Sequence, residues 1–524
     1  MTASGSVAEA GSPLDGRPLP WRRAKSGLLR WLVAATRWSL SARVVGLATA
    51  TFVVVYGTLI LQKHARFGTQ AFDLGIFDQG LWLLSRFKTP FVTLRGLHLF
   101  GDHSSYILIL LAPLYWMWAD VRVLLMLTVV ALASSGPLVY MIARTEGVRK
   151  PLAAALAVAF LLHPAIGWNV WNVFHPEVLA VPLLLAAYLF TARGRPVWGA
   201  VVLGLTLLIK EDAALIVAPL ALYLAWRFRE WQIHGVVVLV AVAVFAFNFL
   251  VALPHFSPTG ELIYTNRYST FGDTLPSIIG GVLTSPGQVF SLLSATDRLV
   301  YTAAMVGPMA LALLAPELLV VGLPIALVNL LSQHGYQGNI RYQYTSYLLA
   351  IVALAAIRGA ARLTSVSKDK PTRPVLAAVL VGAVVIAGGL GTFLAGPLPR
   401  NDPGNPWAGY SSQPGEVRRA LDLIPGDAVV SADWFISPHL THRDTIYMYP
   451  NPFVRDAWGV ASEPPPPSAD TVEWVVVRTD TLDNNGTDKS GRTARAFELI
   501  QTDPQFEEVV ANEWVVVFRR VREP

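Results

Sequence analysis

The sequence predicts an all-α polytopic membrane domain of about eleven transmembrane helices, with outer surface helices after the first span and a small α/β domain at the C-terminal end. Three observations predict it. The 524 residues are 53% hydrophobic and only 15% charged, against the ~25% charged residues of a soluble domain. The apolar residues gather in runs near the ~20 residues that a spanning helix requires. After residue 396 the composition changes to Pro, Gly and Asn and then to short β-branched runs, the mark of a linker followed by strands.

Each element follows in order. Residues 1–43 form a cytoplasmic N-terminal segment. Its first part, "MTASGSVAEAGSPLDGRPLP", is small and polar and reads as disordered. It lacks the basic stretch running directly into an apolar core that marks a signal peptide. "WRRAKSGLLRWLVAATRWSLSAR" is basic and aromatic, which suits a cytoplasmic topology anchor. Spans are expected near 44–62, 121–143, 151–167, 177–192, 196–209, 212–226, 235–253, 300–314, 317–331, 342–357 and 374–396. Residues 104–119, "SSYILILLAPLYWMWA", are too short and contain Pro113. If they do not cross, Arg144, Arg149, Lys150, Arg193, Arg195, Arg227, Arg229, Arg358 and Arg362 all fall in cytoplasmic loops, as the positive-inside rule demands. Residues 104–119 are therefore expected to lie on the outer surface, with the chain from 397 onward extracytoplasmic. That last part carries helix patterns in "GEVRRALDLI" and "RTARAFELIQ" and strand patterns in "DAVVSADW", "TIYMY", "EWVVVR" and "EWVVVFRRV", joined in part by a rigid "EPPPP" spacer. The absence of cysteine excludes disulfides, thiolate metal sites and cysteine nucleophiles.

The unusual polar groups collect between spans on the outer side. "FDLGIFDQ" and "LHLFGDHSSY" follow the first span, and "LLHPAIGWNVWNVFHPE" lies between the third and fourth. "IKEDAA" separates the fifth and sixth, "PHFSPTGELIYTNRYSTFGD" opens the 254–299 loop, and "SQHGYQGNIRYQY" precedes the tenth. The span centres carry almost no charge. Transporters and pumps, by contrast, place ionisable groups near the bilayer midplane, often on broken helices in paired repeats. Carboxylates and imidazoles above an apolar bundle suit a reaction at the membrane surface, on a substrate with an apolar tail and a polar head.

Asp73 and Asp78 in "AFDLGIFDQGLW" would point about 140° apart on a regular helix, so they do not address one small site. Gly75 suggests a helix start near Asp73. Asp73 is then either an N-cap carboxylate or a reacting group, and its company in the outer cluster favours the second. Asp78 reads as a supporting or structural partner. Asp102 and His103 in "GDH" could bind a divalent cation or a phosphate, or could be a polar pair at a surface-helix start. His175 and Glu177 flank Pro176 at a helix entry. A dipole role accounts for Glu177 and leaves His175 unexplained. Lys210, Glu211 and Asp212 either compensate one another in a tight loop or grip a phosphate. Arg341, beside Tyr342, Gln343 and Tyr344, is the second phosphate candidate, with a snorkelling role as its alternative.

The run "FDLGIFDQGLWLLSRFKTP", "GLHLFGDHSSYILILLAPLYWMWA", "RTEGVRK", "NVFHPE" and "KED", with a soluble tail, resembles an uncharacterised (domain-of-unknown-function) family of bacterial and archaeal polytopic membrane proteins over most of residues 45–450. That family is similar in turn to the C-type (GT-C fold) glycosyltransferases. These use polyprenyl-phosphate-linked sugars on the outer membrane face. They place an acid just after the first span and a second polar motif before an apolar surface helix. Asp73 stands in the place of that acid, and Asp102 and His103 in the place of the second motif. The paired Asp-Glu of many such enzymes is absent, since Leu74 follows Asp73.

The resemblance implies a GT-C-like domain over 44–396 and an extracytoplasmic α/β domain over 397–524, in a bacterial plasma membrane. It implies transfer of a hexosyl or pentosyl group, with inversion, from a polyprenyl-phosphate donor to an envelope glycan, lipid or protein acceptor. Asp73 would be the base. A divalent cation, with Asp102 and His103 as its ligands, or Lys210, or Arg341 would meet the departing phosphate. Phe72, Trp82, Trp168 and Trp171 would stack on sugar faces. Membrane lipids are the remaining partners, and no nucleic acid is expected. Two competing readings are a lipid-linked substrate transporter or flippase, and a non-catalytic envelope scaffold. The scaffold predicts that Asp73, Asp102, His103 and His175 share no site.

Overall fold

Ser39 opens the first helix by accepting a hydrogen bond from Ala42 N at 3.4 Å, satisfying one of the free N–H groups of Leu40–Ala65. The computed structural model describes residues 39–366, 373–399, 401, 414–456, 469–482 and 491–521. Most of the basic N-terminal segment, the Pro/Gly linker and the "EPPPP" spacer lie outside the described residues.

Among the described residues, seven helices are long and apolar enough to cross a membrane: Leu40–Ala65, Arg122–Thr145, Lys150–Trp171, Trp231–Phe256, Thr296–Leu314, Gln343–Ser365 and Ala378–Ala395. The other four expected spans coincide with shorter pieces, Pro176–Ala192, Pro196–Thr206, Ala214–Phe228, and Pro316–Val321 followed by Leu323–Leu331. At ~1.5 Å per residue each helix of this set falls short of the ~30 Å hydrocarbon core. Their polar ends, "NVFHPE" and "KED", are therefore drawn down into the bundle. Residues 104–119 form two short helices, Ile107–Leu111 and Leu114–Met117, with Pro113 between them. Leu110, Trp116 and Met117 stay exposed, an apolar outward face that suits a helix lying on a membrane rather than crossing it.

Small residues let the bundle close. A Cβ on Gly359 would stand 1.9 Å from Leu311 O, and one on Gly388 would stand 2.8 Å from Ala159 Cα, so only hydrogen fits at these crossings. At one end of the bundle, buried Glu146 accepts from Tyr188 Oη (2.7 Å) and Arg358 Nη1 (2.9 Å), with Arg227 Nη2 at 3.6 Å. At the other end sit the polar segments and a mixed sheet.

That sheet has five strands, in the order 446–448, 430–432, 474–478, 515–520 and 506–511. A two-residue hairpin, β1 (Phe91–Val92) and β2 (Leu97–His98), comes earlier in the chain. The sheet strands are β3 (Val430–Ala432), β4 (Ile446–Met448), β5 (Trp474–Arg478), β6 (Phe506–Ala511) and β7 (Val515–Arg520). Strand β3 runs parallel to β4 and β5, and the other two pairs are antiparallel. The helix patterns appear as Pro414–Leu421 and Arg492–Thr502. Strand β6 carried no alternating signal strong enough to be expected. The sheet docks on the bundle through Ala71 N to Trp434 O (2.8 Å) and a reciprocal bond pair between Thr93 and Ile446 (2.7 and 2.9 Å). One apolar core runs from the bundle into β3 and β5.

Candidate functional site

Two unusual backbone positions bring the first pair together. Asp73 has φ 67° and ψ −80°, close to the rare γ-turn at ~+75°, ~−65°. Val173 has φ 62°, an outlier for a β-branched residue. Between them His175 Nε2 comes within 3.2 Å of Asp73 Oδ2. Helix Ile76–Ser85 takes no side-chain cap, so the capping alternative for Asp73 is not realised. Burial drives the His175 imidazole down, but neighbouring Asp73 outweighs it and leaves the group above its usual value. The Asp73 side chain remains 33% exposed.

Asp73 opens into a cavity of about 660 Å³, lined also by Gln70, Phe72, Arg95, Asn172, Arg267 and Trp434. A second cavity of about 380 Å³ has an apolar body, including Phe245, Phe249, Leu253, Ile278 and Leu327. Its polar end carries Asp102, His103, Lys210, Glu211 and Asp212. Tyr264 and Arg267 line both cavities and form the wall between them.

Charged groups in this wall are paired. Asp102 accepts from Tyr264 Oη and lies 3.7 Å from Arg95 Nε. Burial pushes its carboxyl up, but Arg95, His103 and Tyr264 hold it below the usual range. Arg95 in turn stands over the Phe72 ring at 5.5 Å. His103 Nδ1 meets Glu211 Oε1 at 2.9 Å, and Glu211 Oε2 accepts from Ser104 N at 3.1 Å. Glu211 is held at about 2 because His103 and Lys210 outweigh its burial. Lys210 Nζ donates to Glu177 Oε1 at 2.9 Å. Burial lowers Lys210, yet Glu177, Asp212 and Glu211 lift it well above its usual value. Asp212 Oδ1 accepts from Tyr347 Oη at 3.2 Å. Arg267 stacks over Tyr264 at 4.1 Å and donates through Nη1 to Tyr344 Oη at 3.3 Å.

The family described as "Predicted membrane protein (DUF2079)" matches residues 63–502. The chain belongs to this family. No curated protein matches it. Among solved structures, ArnT from Cupriavidus metallidurans bound to undecaprenyl phosphate matches with a TM-score of 0.50 and 15% identity, over 90% of this chain and 98% of that one. The Archaeoglobus fulgidus oligosaccharyltransferase in complex with zinc and sulfate gives a TM-score of 0.37 and 16% identity, over 82% of this chain and 68% of that one. Both neighbours are GT-C glycosyltransferases. The likeness to ArnT gives this DUF2079 protein its fold.

The expected site residues take specific partners in this DUF2079 protein. Asp78 does not face Asp73. It is fully buried and accepts from Tyr115 and Thr441, with His442 Nε2 at 3.1 Å, so it fastens the sheet to the bundle. The Lys210 ammonium is committed to Glu177, because two buried opposite charges pair before either meets a ligand. Arg341 lies over the Trp168 ring at 4.8 Å and donates to Asn401 O at 2.8 Å, and it lines neither cavity. Trp168 donates to Ala395 O, Trp171 holds Lys63, and Trp82 stacks on His442. Of the four aromatic candidates, only Phe72 lines the Asp73 cavity. Asp102 and His103 are turned to different partners. No group of three or more His, Asp or Glu side chains among the described residues is placed to hold a metal ion. Arg267 and Trp434 are among the lining residues that escaped the sequence reading. Arg267 is the sole Lys or Arg of "PHFSPTGELIYTNRYSTFGD", set between Tyr264 and Tyr268, a signal that was available. Trp434 follows β3 and reaches the cavity only through sheet docking.

Proposed function

We propose that this protein is a membrane glycosyltransferase that takes a sugar from a polyprenyl-phosphate carrier and passes it to an envelope acceptor on the extracytoplasmic side. The observation that carries the reading is the shared wall. An apolar cavity and an Asp73-lined polar cavity meet at one arginine, Arg267, as a substrate with a lipid tail, a phosphate and a sugar requires. ArnT, of the same fold, binds undecaprenyl phosphate, which supports the choice of carrier. Asp73, with His175 at 3.2 Å, faces one side of that wall, and Asp102 and His103 face the other. The four do not share one cavity, so the case against a scaffold role rests on the wall itself.

The lipid occupies the apolar cavity and its phosphate sits at Arg267, whose planar fork suits phosphate oxygens. Asp73 accepts the proton of an acceptor hydroxyl, a role that typically contributes ~10²–10⁴-fold. The hydroxyl oxygen forms its bond to the anomeric carbon as the bond to phosphate breaks. The electron pair leaves on the phosphate oxygen, with inversion. His175 holds the Asp73 carboxylate in position. The excess of Arg at the opposite end of the bundle supports a cytoplasmic placement for that end.

The test is label transfer from polyprenyl-phosphate sugars to an envelope glycan fraction by the purified full-length protein in lipid nanodiscs. Arg267→Gln is expected to raise KM for the lipid donor about 10- to 100-fold, the loss of a charge-assisted contact. Absence of transfer from every lipid-linked sugar tried would remove the enzyme reading.

A further inference from the structure

The Asp73 cavity is built from two parts of the chain, and its lining identifies what it holds. Phe72, Tyr336, Tyr342 and Tyr344 come from the bundle, and Trp434 comes from the sheet. The Phe72 and Trp434 rings are parallel within 4°, with centroids 6.2 Å apart. Trp434 O also accepts from Ala71 N at 2.8 Å, so the sheet fixes the turn that carries Asp73. Amides supply most of the remaining polarity. Asn172 Nδ2 donates to Gln343 Oε1 at 3.0 Å. That bond leaves the amide oxygen of Asn172 and the amide nitrogen of Gln343 without a partner among the described residues.

We infer that this cavity is an acceptor subsite for a neutral saccharide, with Trp434 as the platform under its terminal ring. The inference rests on the glycosyltransferase reading and names its acceptor class. Hydroxyl groups both donate and accept, and an amide pair with one free oxygen and one free nitrogen matches that need. Apolar C–H faces of a sugar ring suit aromatic walls, which supply large contact area with a polar edge. Arg267, where the donor phosphate is placed, lies at the border with the lipid cavity, and Arg95 is paired with Asp102 at 3.7 Å. Apart from Asp73 and His334 the remaining lining is amide and aromatic, which suits a neutral, hydroxyl-bearing acceptor better than an anionic one. At about 660 Å³ the cavity falls within the ~300–1,000 Å³ of small-ligand sites. Trp434 is thus a specificity-determining residue donated by the sheet, and the bundle alone makes an incomplete site.

Saturation-transfer NMR on the detergent-solubilised full chain tests this without requiring turnover. The probes are glucose, mannose, galactose, arabinose and their common disaccharides, with a glutamate-containing tripeptide as the competing class. At least one neutral saccharide is expected to receive saturation from the aromatic protons. Trp434→Ala should weaken that binding roughly three- to tenfold, and Trp434→Phe should restore most of it. Thermal unfolding of each variant separates loss of the platform from loss of the fold. Binding of no saccharide, tripeptide binding in preference to saccharide, or saccharide binding indifferent to Trp434→Ala in a folded variant overturns the inference. Failure of the glycosyltransferase reading shows separately, as absence of transfer from lipid-linked sugars while saccharide binding persists.

Discussion

Asp73 and Asp78 stand on one short stretch, and each meets one imidazole at nearly the same distance, 3.2 Å for His175 and 3.1 Å for His442. Their surroundings divide them. Asp78 has no exposed surface, and its two oxygens accept from Tyr115 and Thr441 as well as facing His442. Asp73 keeps a third of its side chain open to a cavity and sits on a backbone that ordinary residues avoid. A fully buried carboxylate with both oxygens engaged by neighbours is a fastener. One that keeps acceptor capacity toward a cavity can receive a proton. The strain points the same way, since sparsely populated backbone conformations persist where the surrounding fold enforces them, and such places cluster at reacting sites.

The sharpest way to break this comparison is to exchange the roles. Asp73→Asn keeps the shape and the tolerance for a left-handed backbone. Transfer is expected to fall ~10²–10⁴-fold with thermal stability unchanged, measured on the same preparation. An unchanged rate would show that Asp73 is not the base. Asp78→Ala should do the reverse. It strands Tyr115, Thr441 and His442 in a buried interface, at a cost of roughly 3–5 kcal/mol. Limited proteolysis should then cut the sheet region early, before the bundle loses its helical signal. If Asp78→Ala leaves the sheet protected, the fastener assignment is wrong.

How much of this could be read in advance follows from which interactions are local. The polar cluster at one end of the bundle was legible because hydropathy marks where the spans end. Helix periodicity set Asp73 and Asp78 apart on the premise of one regular helix, whereas Asp73 sits on a turn at φ 67° before helix Ile76–Ser85. Their partners were not legible. Thr441 lies 363 residues from Asp78, and Glu177 lies 33 residues from Lys210. No spacing rule announces a pair closed by tertiary folding. Lys210 looked like a phosphate ligand because it is the one cation in "IKEDAA", and only the fold shows Glu177 already beside it. Arg267 was legible in part, as a cation between tyrosines in a loop with no motif to rank it. Trp434 was not, because its role depends on how a sheet of about a hundred residues docks.

A smaller effect sharpens the strain argument. Asp73→Gly removes both the carboxylate and the cost of holding a side chain at φ 67°. It is expected to raise stability by about 1 kcal/mol, the lower end of the cost of such a conformation, while transfer is lost as in Asp73→Asn. Chemical denaturation of the purified protein measures the gain. A loss of stability instead would mean that the His175 contact outweighs the strain, and Asp73 would then share the fastening role of Asp78.

The smallest effects are those of pH, and they distinguish the two imidazoles. Burial lowers His175 and His442, and their aspartates outweigh it and raise both above the usual value. A raised folded-state value means that the charged imidazole stabilises fully below the unfolded value of ~6.5, and that this contribution fades as pH rises through the folded value. Both pairs should therefore weaken on the alkaline side, with different readouts. His442→Gln should flatten the pH dependence of sheet protection against protease and leave the transfer profile alone, since His442 faces the interface with Asp78. His175→Gln should remove the alkaline limb of the kcat profile with little change in KM for the lipid donor, because the donor phosphate is placed at Arg267 rather than at His175. If both variants moved both readouts equally, the two carboxylates would belong to one coupled network. Their separation into a reacting group and a fastener would then fail, because a proton taken up at one would be felt at the other.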